Sequence, residues 1–198
     1  MLNHMVPKHK VFISFHHDDE YYRKKFEGDF TNEMNPIFVN RSVQDGDIDP
    51  TFKTDTIRQK IRDDYISDST VTIILIGPDT WRRKHVDWEI GYSLTNTNQN
   101  NRSGLIGILL PNYRPHLYCD TQHTENGCIY TPCNIPPRLN DNIVTGYAKI
   151  YSYPTSRLDS GIQLKQWIHE AFQRRNSFNP NNRRQYYNNN RTQSSHWE

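Results

Sequence analysis

The run Thr70-Val71-Thr72-Ile73-Ile74-Leu75-Ile76, closed by Gly77-Pro78, constrains the fold more than any other stretch of this chain. It carries no charge, is rich in β-branched residues and has the length of a strand. Such a run reads as a central strand covered on both faces. A strand of that kind needs helices above and below it, and the flanking sequence supplies them.

Before it, Val11-Phe12-Ile13-Ser14-Phe15 is a short apolar run that predicts a first buried strand. His16-His17-Asp18-Asp19 breaks the pattern, with Asp18 or Asp19 available as an N-cap. Over 20–30, Tyr22, Phe26 and Phe30 recur every fourth residue and form one helix face. Pro36-Ile37-Phe38-Val39 predicts a second strand, followed by a polar loop over 40–50 with strong turn chemistry. Ile57, Ile61 and Tyr65 place a helix over 52–64. Beyond the central strand, a helix over 81–94 follows Asp79 or Thr80, and Leu105 to Pro111 supplies a fourth buried strand. Residues 112–146 are rich in Pro, Asn, Asp and Cys without periodicity, and read as a long irregular surface excursion. A fifth strand is expected over 148–153, and a last helix over 160–174 with Leu164, Trp167, Ile168, Ala171 and Phe172 inward.

Strands alternating with helices predict an α/β fold: a doubly wound, mostly parallel five-stranded sheet. One domain over 9–175, interrupted by the 112–146 excursion, is expected to precede a polar, Asn/Arg-rich, disordered tail over 176–198. In such sheets ligands bind beyond the carboxyl ends of the strands, where strand order reverses. That rule selects residues 15–19, 41–49 and 77–89.

Composition removes several function classes. With 24 basic and 22 acidic residues the formal charge is only +2, which argues against a nucleic-acid partner. No segment approaches the ~18–20 apolar residues of a membrane span, and the start lacks the apolar stretch of a secretory signal. The three cysteines fall between 119 and 133 and do not suggest a disulfide framework, so the expected compartment is the cytoplasm. His116, Cys119, His123, Cys128 and Cys133 are zinc-type side chains, but their spacing lacks the paired knuckles of structural zinc sites. Free thiols in a surface loop and no metal are expected. There is no G-x-G-x-x-G, P-loop or G-x-S-x-G pattern.

The helix over 81–94 carries the clearest chemistry. Trp81, His85, Trp88, Glu89 and Tyr92 lie along one side, mixing aromatics with one carboxylate and one imidazole. An unpaired buried carboxylate is costly, so Glu89 either pairs with His85, Arg82 or Arg83 on a half-exposed surface or serves a site.

Four stretches resemble a Toll/interleukin-1 receptor (TIR) domain, and more closely the TIR-like proteins of bacterial antiphage systems such as Thoeris. They are residues 10–19 with the Phe12-Ile13-Ser14-Phe15 opening strand, residues 41–49 in the place of the BB loop, the central strand 73–77, and residues 81–90 on the third helix with Val86-Asp87-Trp88-Glu89-Ile90. The resemblance covers about residues 9–111 and implies a flavodoxin-like, TIR-like sheet. It further implies that NAD is a substrate and not a resident cofactor. Glu89 would then be the catalytic carboxylate for cleaving the bond between nicotinamide and ribose. Phe15 and His16 would contact the nicotinamide half, although Phe15 also reads as an ordinary core aromatic and His16 as a turn residue. Arg41, Ser42 and Asp45 of the BB-loop stretch would join the substrate-binding set. Arg41 would meet a phosphate, or alternatively form an ion pair with Asp45 or Asp47. Trp81 would wall the pocket or pack on the sheet. His85 stands where many relatives carry Trp, and can hydrogen-bond or tune the carboxylate one turn away.

The resemblance implies an NAD nucleosidase or cyclase-type enzyme, latent until triggered, that makes an ADP-ribose-derived signal in antiphage defence. It also implies a homo-oligomer on activation and a separate effector protein that responds to the product. The competing implication is a non-enzymatic TIR scaffold that assembles through the BB loop and is indifferent to Glu89. A receiver-like phosphoacceptor is weaker, because the third strand ends Ile76-Gly77-Pro78 without an acceptor Asp.

Overall fold

The structure, a computed structural model, describes residues 6–32, 35–43, 47, 51–52, 54–96, 101–115, 122–125, 127–155 and 158–192. The elements are β1 (Lys10–Ser14), α1 (Glu20–Phe30), β2 (Val39–Asn40), α2 (Thr54–Lys60, continued by a π-helical turn Ile61–Ile66), β3 (Val71–Ile76) and α3 (Lys84–Ser93). They continue with β4 (Gly104–Leu109), β5 (His123–Glu125), β6 (Cys128–Tyr130), α4 (Pro137–Val144), β7 (Ala148–Ser152) and α5 (Leu158–Ser177).

Five strands form one sheet in the order β2-β1-β3-β4-β7, and every pairing in it is parallel. The expected mostly parallel sheet is thus wholly parallel. Strand order reverses between β1 and β3, so the crevice of a doubly wound sheet lies at their carboxyl ends. The period of two along β3 divides the core. Val71, Ile73 and Leu75 face Phe26 and Phe30 of α1 and Leu164 and Ile168 of α5. Ile74 and Ile76 face Val86 and Ile90 of α3 and Leu139 of α4. At Gly104, a Cβ would collide with the backbone of Ala171, so only glycine lets α5 pass this close to β4.

Strand β2 is shorter than its sequence suggests. Only Val39 and Asn40 pair, opposite Lys10 and Val11. The ladder is continued by a side chain: the Ile13 amide donates to Ser42 Oγ at 2.9 Å.

Two expectations are corrected. The 112–146 stretch is not an irregular surface excursion among its described residues. β5 and β6 form an antiparallel hairpin, and α4 fills the helical layer between β4 and β7. The strands are three residues long, too short to show a period. α4 buries Arg138 and Asn142 beside Pro137 and Leu139, so its inner face does not read as apolar. Its start is nevertheless a recognisable signal, with Pro137 at the first helical position. The tail expectation is also overturned over 178–192. This segment lies along the protein, with Asn142 exchanging hydrogen bonds with Asn181 at 2.9 Å and Arg184 gripping Asp141 at 2.7 and 2.8 Å. Asparagine-rich composition suggests solvation, yet each amide brings a donor and an acceptor that a polar surface can hold.

Candidate active site

β1 ends at Ser14, whose hydroxyl is buried and points to the α3 side of the sheet. There it donates to Glu89 Oε2 at 2.5 Å. Glu89 is partly exposed, at the wall of a pocket of about 360 Å³. Phe12, Ile13, Phe15 and His17 line this pocket from the end of β1 and the turn beyond it. Val43 closes one side, Ile57 and Ile61 come from α2, and His85 and Glu89 come from α3. The pocket therefore sits at the β1 end of the switch point and is mostly apolar, with one carboxylate and two imidazoles.

Burial of Glu89 pushes its carboxyl pKa up. The charge of His85 and the Ser14 hydrogen bond oppose that rise without cancelling it. His85 is itself held by the backbone, its Nε2–H donating to the Phe15 carbonyl at 3.1 Å. One helical turn of α3 thus sets an imidazole and a carboxylate on the same wall, as residues i and i+4 must be.

The remaining candidates divide. Phe15 lines the pocket while packing against the core, and the Arg23 guanidinium lies 5.3 Å from its ring centroid. His16 is buried behind the wall, its ring 6.4 Å from that of His85, with Nε2 3.1 Å from Asp18 Oδ2. Burial, and then Arg83, lower its pKa. It is the neighbouring His17 that reaches the lining. Arg41 is turned to the other end of the sheet, its Nε 2.7 Å from Asp68, which Lys10 also contacts. Ser42 acts on the backbone of β1 through the bond to Ile13. Trp81 is 2% exposed and outside the pocket lining, with Arg82 over its ring at 4.9 Å. Asp45 and most of the BB-loop stretch lie outside the described residues.

Six wall residues were not among the candidates drawn from the sequence: Phe12 and Ile13 of β1, His17, Val43, Ile57 and Ile61. Ile57 and Ile61 had the period of core positions, yet they line the pocket. Val43 and His17 lie inside the stretches selected at the carboxyl edge but carried no further signal of their own. Ser14 stood in the opening-strand motif, and strand alternation could have directed it to α3.

Of the zinc-type side chains, His116 and Cys119 lie outside the described residues. Cys128 is a buried free thiol, His123 packs on Tyr130, and Cys133 is disulfide-bonded, contrary to the expected free thiol. Among the described residues no group of three or more His, Cys, Asp or Glu is arranged to hold a metal ion.

A parallel sheet in this order, with a carboxylate from the third helix at its carboxyl edge, is consistent with a TIR-like domain. The family described as "Thoeris protein ThsB, TIR-like domain" matches residues 12–115, more than half of the chain, and the chain belongs to that family. Membership gives it a role in antiphage defence. No helix of the described residues is long and apolar enough to cross a membrane.

Proposed function

We propose that the pocket binds NAD and that Glu89 promotes cleavage of its bond between nicotinamide and ribose. The observation that carries this reading is the Glu89 carboxylate, held by Ser14 at the wall of an apolar pocket beyond β1. When the C–N bond breaks, its electron pair leaves with nicotinamide, which departs neutral and needs no general acid. Positive charge is left on the ribose, as in the oxocarbenium-like transition state of glycoside hydrolysis. A carboxylate fixed beside that charge stabilises it, and does so more strongly where water is excluded.

The apolar wall of Phe12, Phe15, Ile57 and Ile61 suits a flat aromatic ring, and Phe15 can stack on nicotinamide. The ADP-ribose then passes to an acceptor. Water gives hydrolysis with release of one proton, whereas the adenine of the same molecule gives a cyclic product. Such a product, released to a separate effector protein, fits the defence role. Assembly of several copies on triggering belongs to the same reading.

The test is incubation of the protein with NAD, alone and with a phage trigger, followed by mass analysis. Nicotinamide and an ADP-ribose product are expected from the wild type and neither from Glu89→Gln. Intact NAD with the triggered, concentrated wild type would sink the reading in favour of a scaffold.

A further inference from the structure

Helix α3 begins without a cap of its own. Arg83 precedes it in an extended conformation and contributes no capping side chain. The first helical amide, that of Lys84, instead donates to Oδ1 of Asn190 at 3.0 Å. The chain over 181–191 then tracks the whole helix. The Arg191 amide bonds the Arg82 carbonyl at 2.9 Å, and the Trp88 indole N–H bonds the Tyr187 carbonyl at 3.0 Å. The Tyr187 amide donates to Asp87 Oδ2 at 3.0 Å, and Asn182 Nδ2 donates to the Gly91 carbonyl at 3.0 Å. A Cβ at Gly91 would collide with the ring of Tyr186, so the strap lies directly on the helix.

These contacts divide α3 into three faces. Val86, Ile90 and Ser93 rest on the sheet, His85 and Glu89 face the pocket, and Lys84, Asp87, Trp88 and Gly91 meet the strap. Apolar packing on the sheet is non-directional, so it resists lifting of the helix more than sliding along its axis. Hydrogen bonds are directional and resist the slide. We propose that the 181–191 strap is a positioning element for the catalytic helix, with Asn190 as the residue that fixes its first turn. It sets the axial register at which Glu89 meets Ser14, and a shift of about 1 Å there is enough to impair chemistry. The proposal rests on the reading of Glu89 as the NAD-cleaving carboxylate.

Full-length Asn190→Ala and Asn190→Asp variants test it, read by the kinetics of nicotinamide release and by amide hydrogen exchange over residues 84–87. Asn190 is exposed, so neither change disturbs the core. Asn190→Ala is expected to speed exchange about fivefold, the factor carried by a lost N-cap. It should also lower kcat about tenfold with KM little changed. Asn190→Asp should restore both, because a carboxylate accepts the same amide and suits a helix N-terminus. A kcat that stays at the wild-type value in Asn190→Ala, or that Asn190→Asp fails to restore, overturns the positioning role. If no protein in the series releases nicotinamide, the NAD reading fails separately. Exchange then still decides the strap, since rates equal to wild type in Asn190→Ala would overturn its hold on α3.

Discussion

Glu89 sits where burial favours its neutral form, while the chemistry proposed for it uses the charge. The conflict makes its behaviour with pH predictable. Its pKa is raised, so cleavage should fade on acidification at a pH above the ordinary glutamate value of about 4.3. A pH–rate profile whose acid limb lies at or below that value would contradict the assignment. Ser14→Ala removes a hydrogen bond that favours the carboxylate, so the same limb should move to higher pH. Stability should respond in the opposite sense. A group whose pKa is higher in the folded state than in the unfolded chain stabilises fully at low pH, and that stabilisation is lost as pH rises through the raised value. Glu89→Gln should therefore raise Tm near pH 7.5. The gain should vanish below the ordinary carboxyl range, which thermal scans at the two pH values would check.

At the scale of elements, α3 is joined to α4 and the strap by charges buried between them. Arg138 Nε and Nη2 grip Asp87 at 2.9 and 3.2 Å, and Arg138 Nη1 donates to Asn182 at 2.8 Å. Both charged side chains are almost fully buried. Asp87→Asn would leave the guanidinium uncompensated, and urea unfolding should show a loss of about 3–5 kcal/mol. An unchanged midpoint would mean that the pair does not join these elements. The same arrangement explains what the sequence disclosed. β1 and β3 were legible as unbroken apolar runs, and α1 and α3 because their side chains recur at helical spacing. Glu89 and Phe15 were singled out through the resemblance of their stretches to a TIR domain, since pattern alone left one a half-exposed carboxylate and the other a core aromatic. α4 and the strap were not, because Arg138, Asn142, Asn181 and Asn182 are held by partners far away in sequence. The partner of Arg41 was hidden for a related reason. The guanidinium suits phosphate, and only the fold reveals that it reaches Asp68.

On the scale of the whole molecule, the wholly parallel sheet places its strand-to-helix loops at the carboxyl edge, and reversal of strand order opens the pocket there. α5 seals the opposite face through its close passage over Gly104. Gly104→Ala should push α5 off β4 and cost about 1–3 kcal/mol in denaturant unfolding, whereas wild-type stability would refute that closeness. Family membership sets this architecture in antiphage defence, and the NAD cleavage proposed for the pocket fits that role. The most direct test of that chemistry is mass analysis of NAD after incubation with triggered wild-type protein and with Glu89→Gln. Release of nicotinamide with an ADP-ribose-derived product by the wild type alone is the predicted result. Equal release by both proteins, or by neither, would contradict the account.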